Sequence, residues 1–131
     1  GGSYPGNNTP EDWTKMMREY QDATMNTDKQ IPIIYGVDAV HGLALVKDAV
    51  VFPHNIGLGA ANDPELMYDM GAAVAEEMKL IGTHWNFSPC VAINTDPRWG
   101  RTYECFSSDH ESLYRRTRRS RNCAFSKALC S

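Results

Sequence analysis

The chain has 131 residues, of which 42% are hydrophobic and 22% charged, and it carries a formal net charge of −3. This composition is ordinary for a globular chain, and because no run of 18 apolar residues occurs, the sequence excludes a transmembrane helix. Its four cysteines form no Cys-x-x-Cys pair and no zinc-type Cys/His spacing, so they predict neither a metal site nor a disulfide framework. The length is about half of the roughly 250 residues that a closed eight-unit β/α barrel needs.

The first predicted element is a helix that begins at Pro10. Thr9 supplies a capping hydroxyl, Pro10 takes the first helical position, and acidic residues fill the first turn. Apolar side chains then recur on one face at helical spacing, at Trp13, Met16, Met17 and Tyr20. The pattern predicts a helix to about Met25.

A buried strand is predicted at residues 31–37, with the sequence IPIIYGV. The run is apolar on both faces, as in a parallel sheet, and Pro32 lies near its start, where a missing amide donor matters least. A loop rich in Gly and His is predicted to follow, to about Ala61. Its NIGLGA segment is interpreted as a tight turn rather than a phosphate-binding loop, because the required Lys-Ser/Thr is missing.

A second long helix is predicted from Pro64 to Gly82, with Asp63 as its cap. Its apolar stripe consists of Leu66, Met70, Val74, Met78 and Ile81. A second strand is predicted at residues 84–91. The order helix, strand, loop, helix, strand, loop favours a parallel α/β architecture.

The last part of the chain differs in charge from the rest. Residues 1–114 hold all 16 acidic residues and 7 of the 13 basic ones, whereas residues 115–131 hold six basic residues and no acidic one. A third helix capped by Ser107 or Ser108 is favoured before Leu113, but the five arginines that follow would repel one another in a helix. We therefore predict a domain over 1–114 and a basic tail over 115–131, which is either disordered or the product of a frame shift, a gene-model error or an alternative splice.

Three motifs surround the predicted strand ends. GVDAVHG at 36–42 follows the first strand, FPHNIGLGA at 52–60 lies in the loop, and DPRWGRTYECFSSD at 96–109 follows the apolar run NFSPCVAI. In this order they resemble the N-terminal barrel domain of glycoside hydrolase family 3, the family of β-glucosidases and exo-β-glucanases, over a span from Gly1 to about Leu113. The resemblance implies an α/β fold, an incomplete (β/α)8 TIM-barrel arc with parallel strands. It also implies a hydrolase for β-linked glucose or a similar sugar at non-reducing ends, acting with retention and without a cofactor, and it favours a secreted or periplasmic location.

Asp38 and Arg101 are the main candidate binding residues. Asp38 directly follows the first strand, at the end where α/β barrels build their active sites, and a carboxylate there can accept two charge-assisted hydrogen bonds from sugar hydroxyls. Arg101 presents a planar fork of donors that fits sugar hydroxyls or a carboxylate. From the residues alone, a loop cap or ion pair remains the alternative for Asp38, and a scaffold ion pair for Arg101. The resemblance implies that both hold the terminal sugar.

Secondary candidates lie in the same loops. For Arg98 we favour pairing within the scaffold, and we interpret Glu104 as a carboxylate that orients the arginines rather than as the nucleophile. Trp99 and Tyr103, with Phe106, form either a stacking surface for a pyranose or, by default, buried packing. We interpret His41 as a hydrogen-bond partner that orders its loop.

His54 receives the same interpretation as His41, because two histidines without a third ligand are a weak metal signal. We expect no metal site in the chain.

The reacting groups of a retaining glycosidase are expected to be missing from this chain. Such an enzyme needs two carboxyl groups about 5–5.5 Å apart. The resemblance implies a nucleophilic Asp in a Ser-Asp-Trp-like context, preceded by a Lys-His-Phe-like motif, and neither occurs in this sequence. We therefore expect the chain to bind a β-glucoside or oligosaccharide but to be inactive alone, with the remainder of the barrel and a downstream domain as its partners.

Two other functions remain open at this point. One is a non-catalytic sugar-binding or regulatory remnant. The other is nucleic-acid binding by the Arg-rich tail, since clustered arginines neutralise phosphates. The tail has no aromatic interleaving and no recognisable nucleic-acid fold, so we do not favour nucleic acid as a partner.

Overall fold

The computed structural model describes residues 4–90 and 92–105. Within them the elements are, in chain order, α1 Pro10–Met25, β1 Gly36–Val37, α2 Asn55–Ala61, α3 Pro64–Ile81, β2 Trp85–Asn86 and the short 3₁₀ helix η1 Thr102–Glu104. The predicted third helix, Phe106 and the basic tail lie outside the described residues. No helix in the described part of the chain is both long enough and apolar enough to cross a membrane.

Helix α1 has the predicted bounds. The Thr9 hydroxyl accepts a hydrogen bond from the Asp12 amide at 3.2 Å, and Pro10 takes the first turn. This arrangement satisfies one of the backbone donors that every helix start leaves open. Trp13 and Met17 are buried on the predicted face.

Helix α3 is also confirmed. The Asp63 carboxylate accepts from the amides of Glu65 and Leu66 at 3.0 and 3.1 Å, and Gly82, at a φ of 78°, ends the helix. Four of the five predicted stripe residues are buried, namely Met70, Val74, Met78 and Ile81. Leu66 is the exception, because this first-turn residue remains exposed to solvent.

Both strands are much shorter than predicted. β1 and β2 pair in parallel, with Gly36 opposite Trp85 and Val37 opposite Asn86. The residues before β1 are bound differently, because the Gln21 side chain of α1 donates to the Ile33 carbonyl at 2.8 Å and accepts from the Ile33 amide at 3.1 Å. A helix side chain thus replaces strand pairing at this point.

The interpretation of the NIGLGA segment as a tight turn is wrong, because these residues form α2. Leu58 of this helix is buried against Met70, and Phe52 packs beside the pair. The helix ends at Asn62, which adopts the left-handed conformation at a φ of 53°. Burial of one apolar side chain against α3 therefore outweighs the low helix propensity of the two glycines.

The main core lies where α1 and α3 pack together with β1. One buried cluster contains Trp13 of α1, Val37 of β1 and Met78 of α3. Leu43, from the loop after β1, belongs to the same cluster. The helical connection between two parallel strands gives an α/β arrangement. Val37 places β1 in this core, and the segments that follow β1 and β2 hold the candidate residues.

Candidate functional site

Asp38 lies where the sequence predicts it, at the carboxyl end of a parallel strand. It is the residue directly after β1, and its side chain is exposed. The Phe87 amide, directly after β2, donates to the Val37 carbonyl at 3.0 Å. Because the two strands are parallel, the loops that follow them leave the sheet at the same edge.

The backbone next to Asp38 is held by Asn86 of β2. The Asn86 carboxamide accepts from the Ala39 amide at 3.0 Å and donates to the Ala39 carbonyl at 3.1 Å. Asn86 is buried, and both groups of its amide are therefore satisfied inside the protein. Sequence reasoning missed this residue, although a polar Asn within the apolar run NFSPCVAI was a usable signal.

Arg101 forms a two-pronged ion pair with Glu104. Its Nε donates to Oε1 at 2.9 Å and its Nη2 donates to Oε2 at 2.6 Å. This hydrogen-bonded pairing lowers the pKa of Glu104 and raises the pKa of Arg101. The scaffold ion pair considered for Arg101 is present, with Glu104 as its partner, and Glu104 does not pair with Arg98, which bonds to Asp96 instead.

Arg98 pairs with Asp96 two residues earlier. Its Nε donates to Oδ1 at 3.0 Å and its Nη2 to Oδ2 at 2.6 Å, while its backbone amide also donates to Oδ1 at 3.0 Å. The Arg98 hydrogen bonds lower the pKa of Asp96. The geometry supports the interpretation of Arg98 as a residue that pairs within the scaffold, and it adds Asp96 as the partner that the sequence had not singled out.

A cluster of rings joins the loop after β1 to η1. The rings of His41 and His54 lie 4.1 Å apart, and Tyr103 meets His54 edge-on at 6.0 Å. His41 Nδ1 lies 2.8 Å from the Phe52 carbonyl oxygen, a contact within the loop that supports the interpretation of His41 as a loop-ordering residue. Residues 4–90 and 92–105 hold no group of three or more His, Cys, Asp or Glu side chains suited to a metal ion.

The two described aromatic residues of the predicted stacking surface are accessible. Trp99 is 38% exposed and Tyr103 is 54% exposed, so buried packing does not describe them. Tyr103 meets the His54 ring and is also hydrogen-bonded to the Glu104 side chain. Exposed aromatic faces of this kind can contact the C–H face of a sugar ring.

Charges from both candidate loops affect the pKa of the Cys90 thiol. Burial raises the pKa of its thiol most, the Glu104 charge raises it further, the Arg101 charge lowers it, and the Asp38 charge raises it. Three candidate residues from two different loops therefore act on the same thiol. Cys90 itself is partly buried and carries a free thiol.

Asn55 connects the loop of residues 96–104 to α2. It is the first residue of that helix and is buried, and its Nδ2 donates to the Glu104 backbone carbonyl at 3.2 Å. Sequence reasoning did not single out Asn55, because the surrounding glycines suggested a turn.

The chain is similar to β-glucosidases of known sequence. Residues 3–120 match the family described as glycosyl hydrolase family 3 N terminal domain. The lysosomal beta glucosidase of Dictyostelium discoideum is 35% identical over 98 residues, which cover 74% of this chain and 12% of that protein. The periplasmic beta-glucosidase of Salmonella typhimurium is 32% identical over 94 residues, which cover 71% of this chain and 12% of that protein. The chain thus spans only a small part of these relatives.

Solved structures agree with the sequence matches. An exo-1,3/1,4-beta-glucanase from a Pseudoalteromonas species superimposes with a TM-score of 0.73 at 40% identity, over 92% of this chain and 14% of that one. A beta-glucosidase involved in saponin metabolism from intestinal bacteria gives a TM-score of 0.69 at 35% identity, over 80% of this chain and 13% of that one. On the family match, its sequence relatives and these folds, the chain belongs to glycosyl hydrolase family 3.

Proposed function

We propose that this chain supplies the part of a retaining β-glucosidase-type hydrolase that holds the non-reducing terminal sugar. The observation that carries the proposal is the position of Asp38 directly after β1, beside the parallel strand β2 that leads into the loop holding Arg101 and Glu104. The relatives named β-glucosidase and exo-glucanase support a β-linked glucose or a similar sugar as the substrate.

Asp38 and Arg101 have complementary roles in this proposal. The Asp38 carboxylate accepts hydrogen bonds from two sugar hydroxyls. The Arg101 guanidinium uses two of its N–H groups on Glu104, which leaves donors for sugar hydroxyls or ring oxygens. These bonds strengthen as the ring flattens toward the transition state, which is how binding residues contribute to rate.

We propose that the chain forms an arc of a β/α barrel. β1 and β2 are parallel and are joined through α3, which is the repeating connection of such barrels. The strand ends that carry Asp38 and the loop of Arg101 then correspond to the barrel face on which active sites are built.

The two reacting carboxyl groups are not assigned to this chain. Its sequence contains neither the Ser-Asp-Trp-like nor the Lys-His-Phe-like motif that the family resemblance implies. Hydrolysis with retention would need carboxyl groups supplied by other segments, and no cofactor enters the proposed chemistry. A purified chain that releases nitrophenol from an aryl β-glucoside at enzyme-like rates would contradict this part of the proposal.

Sugar binding is tested by titrating the purified chain with glucose, followed by calorimetry or NMR. We expect Asp38→Asn to weaken binding about tenfold or more, because a hydrogen bond to a charged group contributes about 1.5–3 kcal/mol. Asp48→Asn is the matched control, since Asp48 lies in the same loop, is exposed and has a φ of 63°, which Asn also tolerates. Equal affinities of the two variants, or no saturable binding by the unmodified chain, would contradict the proposal.

A further inference from the structure

The buried polar side chains divide into two kinds. Within the described part of the chain they are Asn55, Thr83 and Asn86, each no more than 5% exposed. Thr83 donates to the Met78 carbonyl at the end of α3 and thus serves that helix alone. The two asparagines instead bond to the backbone of the loops that carry the proposed sugar-holding residues.

Asn86 limits how far the Asp38 carboxylate can move. Both of its hydrogen bonds go to Ala39, which is 47 residues away in the sequence and directly adjacent to Asp38. A carboxamide that binds both the N–H and the C=O of one residue fixes the position and the orientation of that residue. Asp38 itself is exposed, so its own side-chain packing does little to restrain it.

Asn55 restrains Arg101 in a similar way, through Glu104. Its Nδ2 donates to the Glu104 carbonyl, 49 residues away in the sequence, and thereby holds η1 against α2. The Glu104 carboxylate in turn holds the Arg101 guanidinium through two hydrogen bonds. Arg101 is exposed, so this chain of contacts restrains its position.

We propose, resting on the function proposed above, that Asn86 and Asn55 are positioning residues of the sugar site, Asn86 acting through Asp38 and Asn55 acting through Arg101. Sugar binding requires the carboxylate and the guanidinium at a fixed separation. A misplacement of about 1 Å in a site of this kind can cost about a hundredfold in rate. Asparagine suits the role because one side chain offers both donor and acceptor groups.

The test is a pair of double-mutant cycles with glucose as the ligand. Asn86→Leu keeps the number and branching of the side-chain heavy atoms and removes both bonds to Ala39. We expect it to weaken glucose binding about tenfold in the unmodified chain, but by less than about twofold when Asp38→Asn is already present. Asn55→Leu should show the same dependence on Arg101→Met.

The crossed pairs provide the internal control. Asn86→Leu combined with Arg101→Met, and Asn55→Leu combined with Asp38→Asn, should show additive losses, because each asparagine acts on a different partner. Thr83→Val removes the buried hydroxyl group and is expected to leave glucose affinity unchanged, although it destabilises the chain.

The exchange rate of the Ala39 amide hydrogen reports directly on its hydrogen bond to Asn86. In Asn86→Leu the Ala39 amide should exchange faster, while the amides within α3 remain as protected as in the Thr83→Val control. If Asn86→Leu does not fold, Asn86→Ala serves instead, because it removes both bonds to Ala39 without placing a large apolar side chain or a charge at this buried position.

The outcomes separate the two proposals. If the unmodified chain binds no glucose, the proposed function fails and the positioning roles fail with it. If it binds glucose and Asp38→Asn weakens that binding, but the asparagine variants bind as tightly as Thr83→Val, only the positioning roles are overturned. Equal effects of Asn86→Leu with and without Asp38 would likewise overturn them.

Discussion

The helical core and the loop of residues 96–104 are built from different contacts. In the core, Trp13, Val74 and Met78 come from distant parts of the chain and are almost completely buried. In the loop, Arg98 pairs with Asp96 and Arg101 pairs with Glu104, within three residues and near the surface. Apolar burial contributes far more to stability than ion pairs exposed to water. The core therefore maintains the fold, and the loop pairs mainly set the directions of charged side chains.

The largest expected effect is in the core. Met78→Ala should lower the free energy of unfolding by about 2–5 kcal/mol, because it removes a buried side chain and leaves a cavity. Leu80→Ala, two residues later in the same helix, is the control and should change it by less than about 0.5 kcal/mol. Met78 is 2% exposed and Leu80 is 75% exposed. Urea unfolding measures both, and similar losses would refute the assignment of the core face.

Gly42→Ala should destabilise the loop that follows β1. Gly42 has a φ of 115°, and an added Cβ would lie 2.2 Å from the Val50 carbonyl oxygen. We expect a loss of about 2–3 kcal/mol in unfolding free energy, since both the backbone conformation and the contact exclude a side chain. Gly100→Ala is the control, because nothing lies within 4 Å of its added Cβ. A Gly42 variant as stable as the control would mean that the loop is built differently.

A smaller effect is expected at the start of α3. Asp63→Ala removes the acceptor for the amides of Glu65 and Leu66 and should cost about 1 kcal/mol. Asp69→Ala removes the same charge from the middle of the exposed face and should cost less than about 0.5 kcal/mol. Thermal unfolding of the two variants at equal ionic strength compares them. An effect of equal size would indicate that charge, and not capping, matters here.

The ion pairs of the 96–104 loop should affect the pKa values of their carboxyl groups more than the free energy of unfolding. The pKa of Glu104 is lowered in the folded chain by its hydrogen bonds to Arg101, and Arg101→Met should therefore raise it toward the ordinary value for Glu. Because the folded pKa lies below the unfolded one, the pair stabilises the fold at pH values above the ordinary Glu pKa. That contribution is lost as the pH falls through the lowered pKa. Carbon-detected NMR measures the carboxyl titration, with Asp96, paired to Arg98, as the group that should not respond.

The two long helices, α1 and α3, were predictable because their signals are local, whereas α2 was missed. Thr9 and Asp63 cap the two long helices within three residues, and the apolar stripes depend only on spacing. The strand lengths were not predictable from the same kind of signal. Ile33 is held by Gln21 of α1 instead of by a strand, and this contact joins residues that no local pattern connects.

The geometry of the candidate site was predictable in part for the same reason. Asp38 follows a recognisable strand, and the pairing of Arg101 with Glu104 spans only three residues. Asn55 and Asn86 were missed because they bind backbone groups 49 and 47 residues away. Because the partner in each contact is a backbone group, which every residue type carries, the sequence shows no matching side chain that would reveal the contact.

The central claim is that Asp38 and Arg101 hold the same sugar. An NMR titration of the unmodified chain with glucose tests it directly, with the carboxyl carbon of Asp38 and the Nε–H of Arg101 observed together. We predict that both signals shift and that both give one dissociation constant. A response at only one of them, or two different dissociation constants, would contradict a shared site.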